Sequence, residues 1–508
     1  MKHKHFTPKF LSCLGLGLLF TFGCSKEELT PSESLSASTS QEAASNASNS
    51  ARLSSNHYII IASGEKLPAD IADKAKSANG TVTALLDEVG IASATSDDPS
   101  FAAKASKIAG VKSVVRDFTF QGFDPEAEKV VEIDATYGNP PKSGDNDTYF
   151  DLQWGHDAIN APEAWNAGYR GKGVRVAVLD SGFDLDHRDL APNIDLAASK
   201  NFVPGEKLSY ALTGVGSHGT HTAGTIGAAD NGLGIIGVAP ESKLILVKVL
   251  RDSGSGSFSW MLEGILHAVS QGADVINMSL GAGIPRNGKY LDDNGTPDNP
   301  ADDFVVSDTK ATQELIVAIS KVTAYAAKQG VTIIAAAGND GIDGNKDRNL
   351  VQMPADAPHV ISISATSPRG WALNPLTANL DFLATYSNYG TSEIDFAAPG
   401  GDTAYPGNEI AKIGPVTQYV YVFDLVFSTG SNLNPATSSY YWSAGTSMAA
   451  PHAAGVAALI VGKNGGQMDP AKVEAALRAS ADDLGKPGRD PQYGHGRVNA
   501  YRAVAPAN

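Results

Sequence analysis

The chain is almost without cysteine: of its 508 residues only Cys13 and Cys24 are cysteines, both within the first 24 positions. Everything downstream folds without a disulfide or a thiolate ligand, which excludes a disulfide scaffold and cysteine catalysis. Positive charge is scarce as well. The formal net charge is −16, with no basic cluster beyond the extreme N-terminus, so nucleic-acid binding through a phosphate-matching patch is excluded. The apolar run from Phe10 to Phe22 is too short for a comfortable membrane span. Behind Lys2, Lys4 and Lys9 it has the form of a secretory signal, so residues 1–24 are expected to direct export.

Gly23-Cys24 resembles the end of a bacterial lipobox, although Thr21 stands where that motif usually has leucine. The resemblance implies lipidation of Cys24. Ser25-Lys26-Glu27-Glu28 is similar to short acidic signals that bring lipoproteins to the cell surface, so an outer-membrane or surface precursor is expected. From Leu29 to Arg52 the composition falls to Ser, Ala, Thr, Asn and Glu, and residues 25–56 read as a flexible tether. Residues 57–120 alternate strand and helix: strands at Tyr58–Ile61, Val82–Leu86 and Val111–Phe118, helices at Asp70–Asn79 and Phe101–Ile108. This is a small α+β unit near the minimum size for a core. Residues 121–150, rich in Pro, Gly, Asn and Asp, read as a connector.

Residues 151–508 form a larger α/β domain. Val174–Leu179, ending at Asp180-Ser181-Gly182, is a nearly continuous apolar run, as in a strand buried on both faces. Similar runs follow at Leu244–Val249, Val275–Ser279, Val331–Ala336 and Val360–Ser364, separated by helical stretches such as Phe258–Gln271 and Ala311–Gln329. Alternation of this kind predicts a mostly parallel sheet with helices on both faces, and ligands at the carboxyl ends of its strands. Asp180 stands at such an end.

A serine between a glycine turn and an alanine-rich helix start, Gly445-Thr446-Ser447-Met448-Ala449-Ala450-Pro451-His452, is a candidate nucleophile. The helix start favours a nearby oxyanion, and Pro451 is expected in the first turn, where its missing N–H costs nothing. A reactive serine needs a base. Ser217-His218-Gly219-Thr220-His221 supplies a histidine at another helix start, and a buried aspartate on its other nitrogen would fix tautomer and orientation. Asp180, His218 and Ser447 can fill these roles. A metal reading of His218 with His221 needs a third ligand at suitable spacing, and none is evident.

These three segments, in the order Asp, His, Ser, resemble the catalytic motifs of the subtilisin-like serine proteases, from about Gln153 to the Gly494–Asn499 ending. The resemblance implies a serine endopeptidase working through an acyl-enzyme at Ser447, on protein or peptide substrates and without a catalytic cofactor. It further implies that Asn339, in Ala335-Ala336-Ala337-Gly338-Asn339, stabilises the oxyanion. Ser279-Leu280-Gly281 would pair with extended substrate, and Ala335, Ala336 and Gly338 would line the pocket for the residue before the scissile bond. By size, order and position, residues 57–120 are similar to the family's inhibitory propeptide. A self-processing zymogen, its own propeptide a partner, is therefore expected, with the cut between about Asp117 and Phe150 releasing a secreted enzyme from its lipid anchor.

Three inserts depart from a minimal member: residues 283–310 with Asp292, Asp293, Asn294, Asp298, Asp302 and Asp303, residues 340–350 with Asp343, Asn345 and Asp347, and residues 402–440 with an aromatic hairpin-like stretch from Tyr419 to Phe427. The acidic loops offer oxygen ligands of the kind structural calcium takes. Sparse carboxylates also keep a loop in water, which is the preferred reading. An inactive binding protein on the same fold is disfavoured by the full set of Asp180, His218, Asn339 and Ser447. An esterase of another fold would need a Gly-x-Ser-x-Gly turn and a different order of the three residues.

Overall fold

The computed structural model describes residues 51–125, 146–292, 300–414, 416–431 and 438–505. The signal segment with Cys24, the tether before Ala51, most of the connector, and Asp293, Asn294 and Asp298 lie outside the described residues.

The N-terminal unit runs β1 (Arg52–Ala62), α1 (Ile71–Ser77), β2 (Thr81–Leu86), β3 (Ile91–Thr95), α2 (Phe101–Ala105) and β4 (Val111–Gln121). Its strands pair antiparallel in the order β2-β3-β1-β4. The tether was expected to reach residue 56, but strand begins at Arg52, because Arg52 and Leu53 find backbone partners at Thr119 and Phe118 of β4. Alternation along β1 explains why Tyr58-Ile59-Ile60-Ile61 is apolar throughout. Tyr58 and Ile60 face α1 and α2, in a core with Ile71, Ala75 and Phe101. Ile59 and Ile61 face the opposite way, into a core shared with Met261, Leu262 and Leu315. A strand of period 2 with both faces covered has no reason to be polar on either.

The larger part is built on β5 (Arg175–Asp180), α3 (His218–Gly227), β6 (Lys243–Lys248), β7 (Ser255–Ser257), α4 (Phe258–Ser270), β8 (Val275–Met278), β9 (Lys289–Asp292), β10 (Phe304–Ser307), α5 (Thr309–Lys328), β11 (Thr332–Ala336), β12 (Val360–Ser367), β13 (Phe396–Pro399) and α6 (Thr446–Lys463). The central order is β12-β11-β8-β5-β6, all parallel, with β13 parallel to β12. An antiparallel two-residue strand, Phe382–Leu383, borders β12. Val176 and Val178 pack toward α3 and α6, Ala177 and Leu179 toward α4 and α5. Helices thus cover both faces, as the continuous apolar runs predict.

Close approach is what the small residues of α6 allow: a Cβ on Gly455 would lie 2.5 Å from the Val238 side chain. Pro451 is not in the first turn, since the helix starts at Thr446 and Pro451 lies inside it. Its missing N–H leaves the carbonyl of Ser447 without the usual helical donor, and the Ser279 hydroxyl donates there at 2.7 Å. The stretch from Tyr419 to Phe427 is not itself a hairpin. It holds the end of one strand, a single helical turn at Val420–Phe423, and the start of Val426–Thr429, which pairs instead with Tyr440–Ser443.

The two parts share a sheet. β4 pairs antiparallel with β7, Thr119 opposite Ser257 and Gln121 opposite Ser255. The hairpin β9–β10 lies parallel beside the start of β1, Arg52 opposite Leu291 and Leu53 opposite Asp292. The insert at 283–310, read as a solvated or calcium-binding loop, is over this part a strand pair that continues the N-terminal sheet.

Candidate active site

Asp180 ends β5 and is fully buried. His218 opens α3, whose start is capped by Ser217 Oγ accepting from the backbone N–H of Thr220 at 3.2 Å. His218 Nδ1 lies 2.8 Å from Asp180 Oδ1. The Ser181 backbone N–H donates to the same oxygen at 2.7 Å, and Thr222 Oγ1 donates to Oδ2 at 3.0 Å. Three donors thus converge on the Asp180 carboxylate, and its contact with His218 fixes the ring with the proton on Nδ1. Nε2 is then the basic nitrogen.

Ser447 is the second residue of α6 and is 6% exposed. Its hydroxyl donates to the Ser279 carbonyl at 3.2 Å. Asn339 follows β11 and is exposed toward the cleft, its side-chain oxygen accepting from the backbone N–H and the hydroxyl of Thr446, each at 2.8 Å. With Oδ1 so occupied, the amide orientation is set by the network, and Nδ2 remains as a donor beside the start of α6. His221 takes no part: its Nε2–H reaches the Val426 carbonyl at 3.1 Å, and burial pushes its pKa down to about 3. His218 and His221 therefore face different partners. Among the described residues no three His, Cys, Asp or Glu side chains gather as a metal cluster. Asp343 is engaged by Lys346 at 2.9 Å, and Asp347 by the backbone of Asn349 at 2.9 Å.

A small pocket, open to solvent, adjoins Ser447 and Asn339, with Leu280, Gly281, Ala336 and Gly338 in its lining. Ala335 was expected there and is not. Successive residues of a strand point to opposite faces, and Ala335 faces the α4–α5 core. Ser279 is fully buried beside Ser447, which it meets through both its carbonyl and its hydroxyl. Paired to the end of β4, where Gln121 borders the pocket, is β7, which sequence reasoning missed. Its only signal is the small, polar Ser253-Gly254-Ser255-Gly256-Ser257 run before a helix.

The cleft is occupied by the chain itself. Beyond the β4–β7 pairing, the Gly122 N–H donates to the Gly254 carbonyl at 2.8 Å. Gln121 and Gly122 border the pocket, and Phe120 packs on Phe258 with ring centroids 4.8 Å apart. Phe123 stacks flat on His218 at 4.3 Å. Only a glycine fits at 254, where φ is +87° and a Cβ would lie 2.1 Å from the Phe123 carbonyl oxygen.

A buried aspartate–histidine pair, and a serine at a helix start beside an asparagine amide, at element ends of a doubly covered parallel sheet, are the kinds of group that acyl transfer employs. The subtilase family matches residues 171–496. Subtilisin of Bacillus pumilus is 35% identical over 70% of this chain and 98% of its own length. Subtilisin NAT of Bacillus subtilis subsp. natto is 34% identical over 70% of this chain and 71% of its own. Among solved structures, the epidermin leader peptide processing serine protease of Staphylococcus aureus aligns at a TM-score of 0.65 and 25% identity, covering 89% of this chain and 98% of that one. Fervidolysin of Fervidobacterium pennivorans, at 0.62 and 22%, shares the fold, with 91% of this chain and 64% of that one covered. The chain belongs to the subtilase family and is a serine-type endopeptidase.

Proposed function

We propose that Ser447 is the nucleophile, His218 its base, Asp180 the group that orients the base, and Asn339 with the Ser447 N–H the oxyanion donors. The Ser447 oxygen attacks the scissile carbonyl while His218 Nε2 takes its proton, and that proton passes to the leaving amine as the acyl-enzyme forms. Water then repeats the sequence in reverse roles. Developing charge on the carbonyl oxygen is met by fixed donors, which need no reorganisation during reaction. The roles assigned need no metal ion. The alanine- and glycine-lined pocket suits an apolar side chain before the scissile bond.

We also propose that residues 52–123 are an inhibitory propeptide of an exported zymogen and that the enzyme cuts itself beside Phe123. The observation that carries this is the tail of β4 in the cleft, backbone-paired to β7 and ending with Phe123 on His218. If Cys24 is lipidated, that cut parts the peptidase from its anchor. Calcium in the acidic loops is a separate expectation, read as a melting temperature that falls in chelator. The main test compares wild type with Ser447→Ala by N-terminal sequencing and membrane fractionation. Wild type should start near Asp124, while the variant keeps residues 52–123 covalently attached and stays with membranes. A variant processed normally in a protease-deficient host would refute self-cleavage.

A further inference from the structure

Besides the apolar core it shares with α4 and α5 and the polar contacts around those helices, the N-terminal segment meets the cleft and the hairpin β9–β10 in chemically different ways. In the cleft, Thr119 to Gly122 are held through backbone, as any extended peptide could be. At the hairpin β9–β10 the contact is made by particular side chains. Arg116 of β4 forms a two-pronged ion pair with Asp292, Nη1 to Oδ2 and Nη2 to Oδ1, the latter at 3.1 Å. Arg52 at the start of β1 meets Asp303 at 3.2 Å. Both carboxylates are buried, at 5% exposure for Asp292 and 4% for the Asp303 side chain. Arg116 also ties β1 into the arrangement by donating to the Ser54 carbonyl at 2.5 Å. Phe118 meets Tyr290 of β9 edge to face at 4.8 Å.

We propose that the hairpin β9–β10 is a second binding site, separate from the substrate cleft, whose ligand is an extended strand carrying arginines, namely this chain's own residues 52–118. Its edge accepts backbone from Arg52 and Leu53, and its two carboxylates read Arg52 and Arg116. A bidentate arginine–carboxylate pair adds geometric selection to attraction, and strand addition supplies the register. The inference rests on the zymogen reading and extends it. The cleft determines where the chain is cut, while the hairpin adds a side-chain grip on the cut segment to the contacts made at the cleft and at α4 and α5. Because no residue of the hairpin lines the pocket at Ser447, it can grip the segment without competing for that site.

The test uses the full Ser447→Ala chain with a recognition sequence for an added, sequence-specific protease inserted between residues 126 and 145. After cutting, dissociation of the N-terminal segment is followed by size exclusion over time. The near-isosteric double change Asp292→Asn with Asp303→Asn should speed release tenfold or more, and Arg52→Gln, at the end of the strand, should speed it in the same direction. An unchanged release rate in both variants, with circular dichroism as in the parent, would overturn the proposal. The added protease makes this result independent of self-cleavage. A wild-type chain that never cuts itself would sink the zymogen reading and leave the hairpin site standing.

Discussion

Two aspartates of this chain are completely buried beside the cleft, and they are partnered in opposite ways. Asp180 takes its donors from Ser181, His218 and Thr222, all within the peptidase part. Asp117 takes one from its neighbour Phe118 at 2.8 Å, and the others from across the joint: the Ser257 hydroxyl and, at 3.4 Å, the Ser259 N–H at the start of α4. Ser257 is the cap position of α4, yet its hydroxyl donates to Asp117 rather than capping its own helix. A carboxylate at a helix N-terminus is favourable, but here it belongs to the segment proposed to leave. The comparison teaches that equal burial can mark permanent machinery or a conditional contact. What separates them is which side of the proposed cut supplies the donors.

Replacing each member tests that difference. Asp180→Asn should lower kcat about ten-thousandfold, because the histidine is then held in the wrong tautomer. Dissociation of the N-terminal segment from a chain cut in place should not change. Asn339→Ala, which leaves both aspartates intact, should lower kcat about a hundredfold to a thousandfold with little change in KM, as a donor used chiefly in the transition state does. Asp117→Ala should leave the kcat of the mature enzyme untouched and weaken docking of the segment about tenfold, the cost of a lost cap and its charged hydrogen bonds. If Asp117→Ala lowered mature activity instead, the distinction between the two sites would fail.

The smallest effect expected is on pH. Burial pushes the Asp117 carboxyl up, against the pull of Ser257 and Ser259. The docked segment therefore binds more protons than the free one across the interval between the ordinary carboxylate value and the raised one. Docking contributed by Asp117 is full below that interval and is lost as pH rises through it. Release from the cut Ser447→Ala chain should be faster at about pH 8 than at about pH 4, with the slope reduced in Asp117→Asn. A slope unchanged in that variant would assign the effect to other groups.

Much of the site was legible because its parts are local. A buried strand reads as a continuous apolar run, and β5 ends at Asp180 as that pattern predicts. Ser217 before His218 is a helix cap in sequence and in space. Less could be read where the answer depends on a distant partner. The insert at 283–310 is acidic in sequence, and only Arg52 and Arg116 across the sheet make its carboxylates ion-pair partners. Ser255–Ser257 has no strand signature, since serine and glycine are poor strand formers, and it becomes one because β4 pairs with it. Pro451 breaks a local rule, and its compensation comes from Ser279, 168 residues away from the carbonyl it satisfies.

The sequence by itself determined the order of the main parallel strands and their helices, the positions of Asp180, His218, Asn339 and Ser447 at element ends, and the presence of a small α+β unit ahead of a large α/β domain, while the strands Ile91–Thr95, β7, β9 and β10 carried no readable strand signal. These follow from periodicity, capping and turn chemistry, which act over a few residues. Tertiary structure alone decided that the small unit shares its sheet with the large domain, that Ala335 faces the core while Ala336 faces the pocket, and that Phe123 lies on His218. The reason is physical: pairing register and the far face of a sheet are set by whichever surface completes the burial, and that surface is remote in the chain.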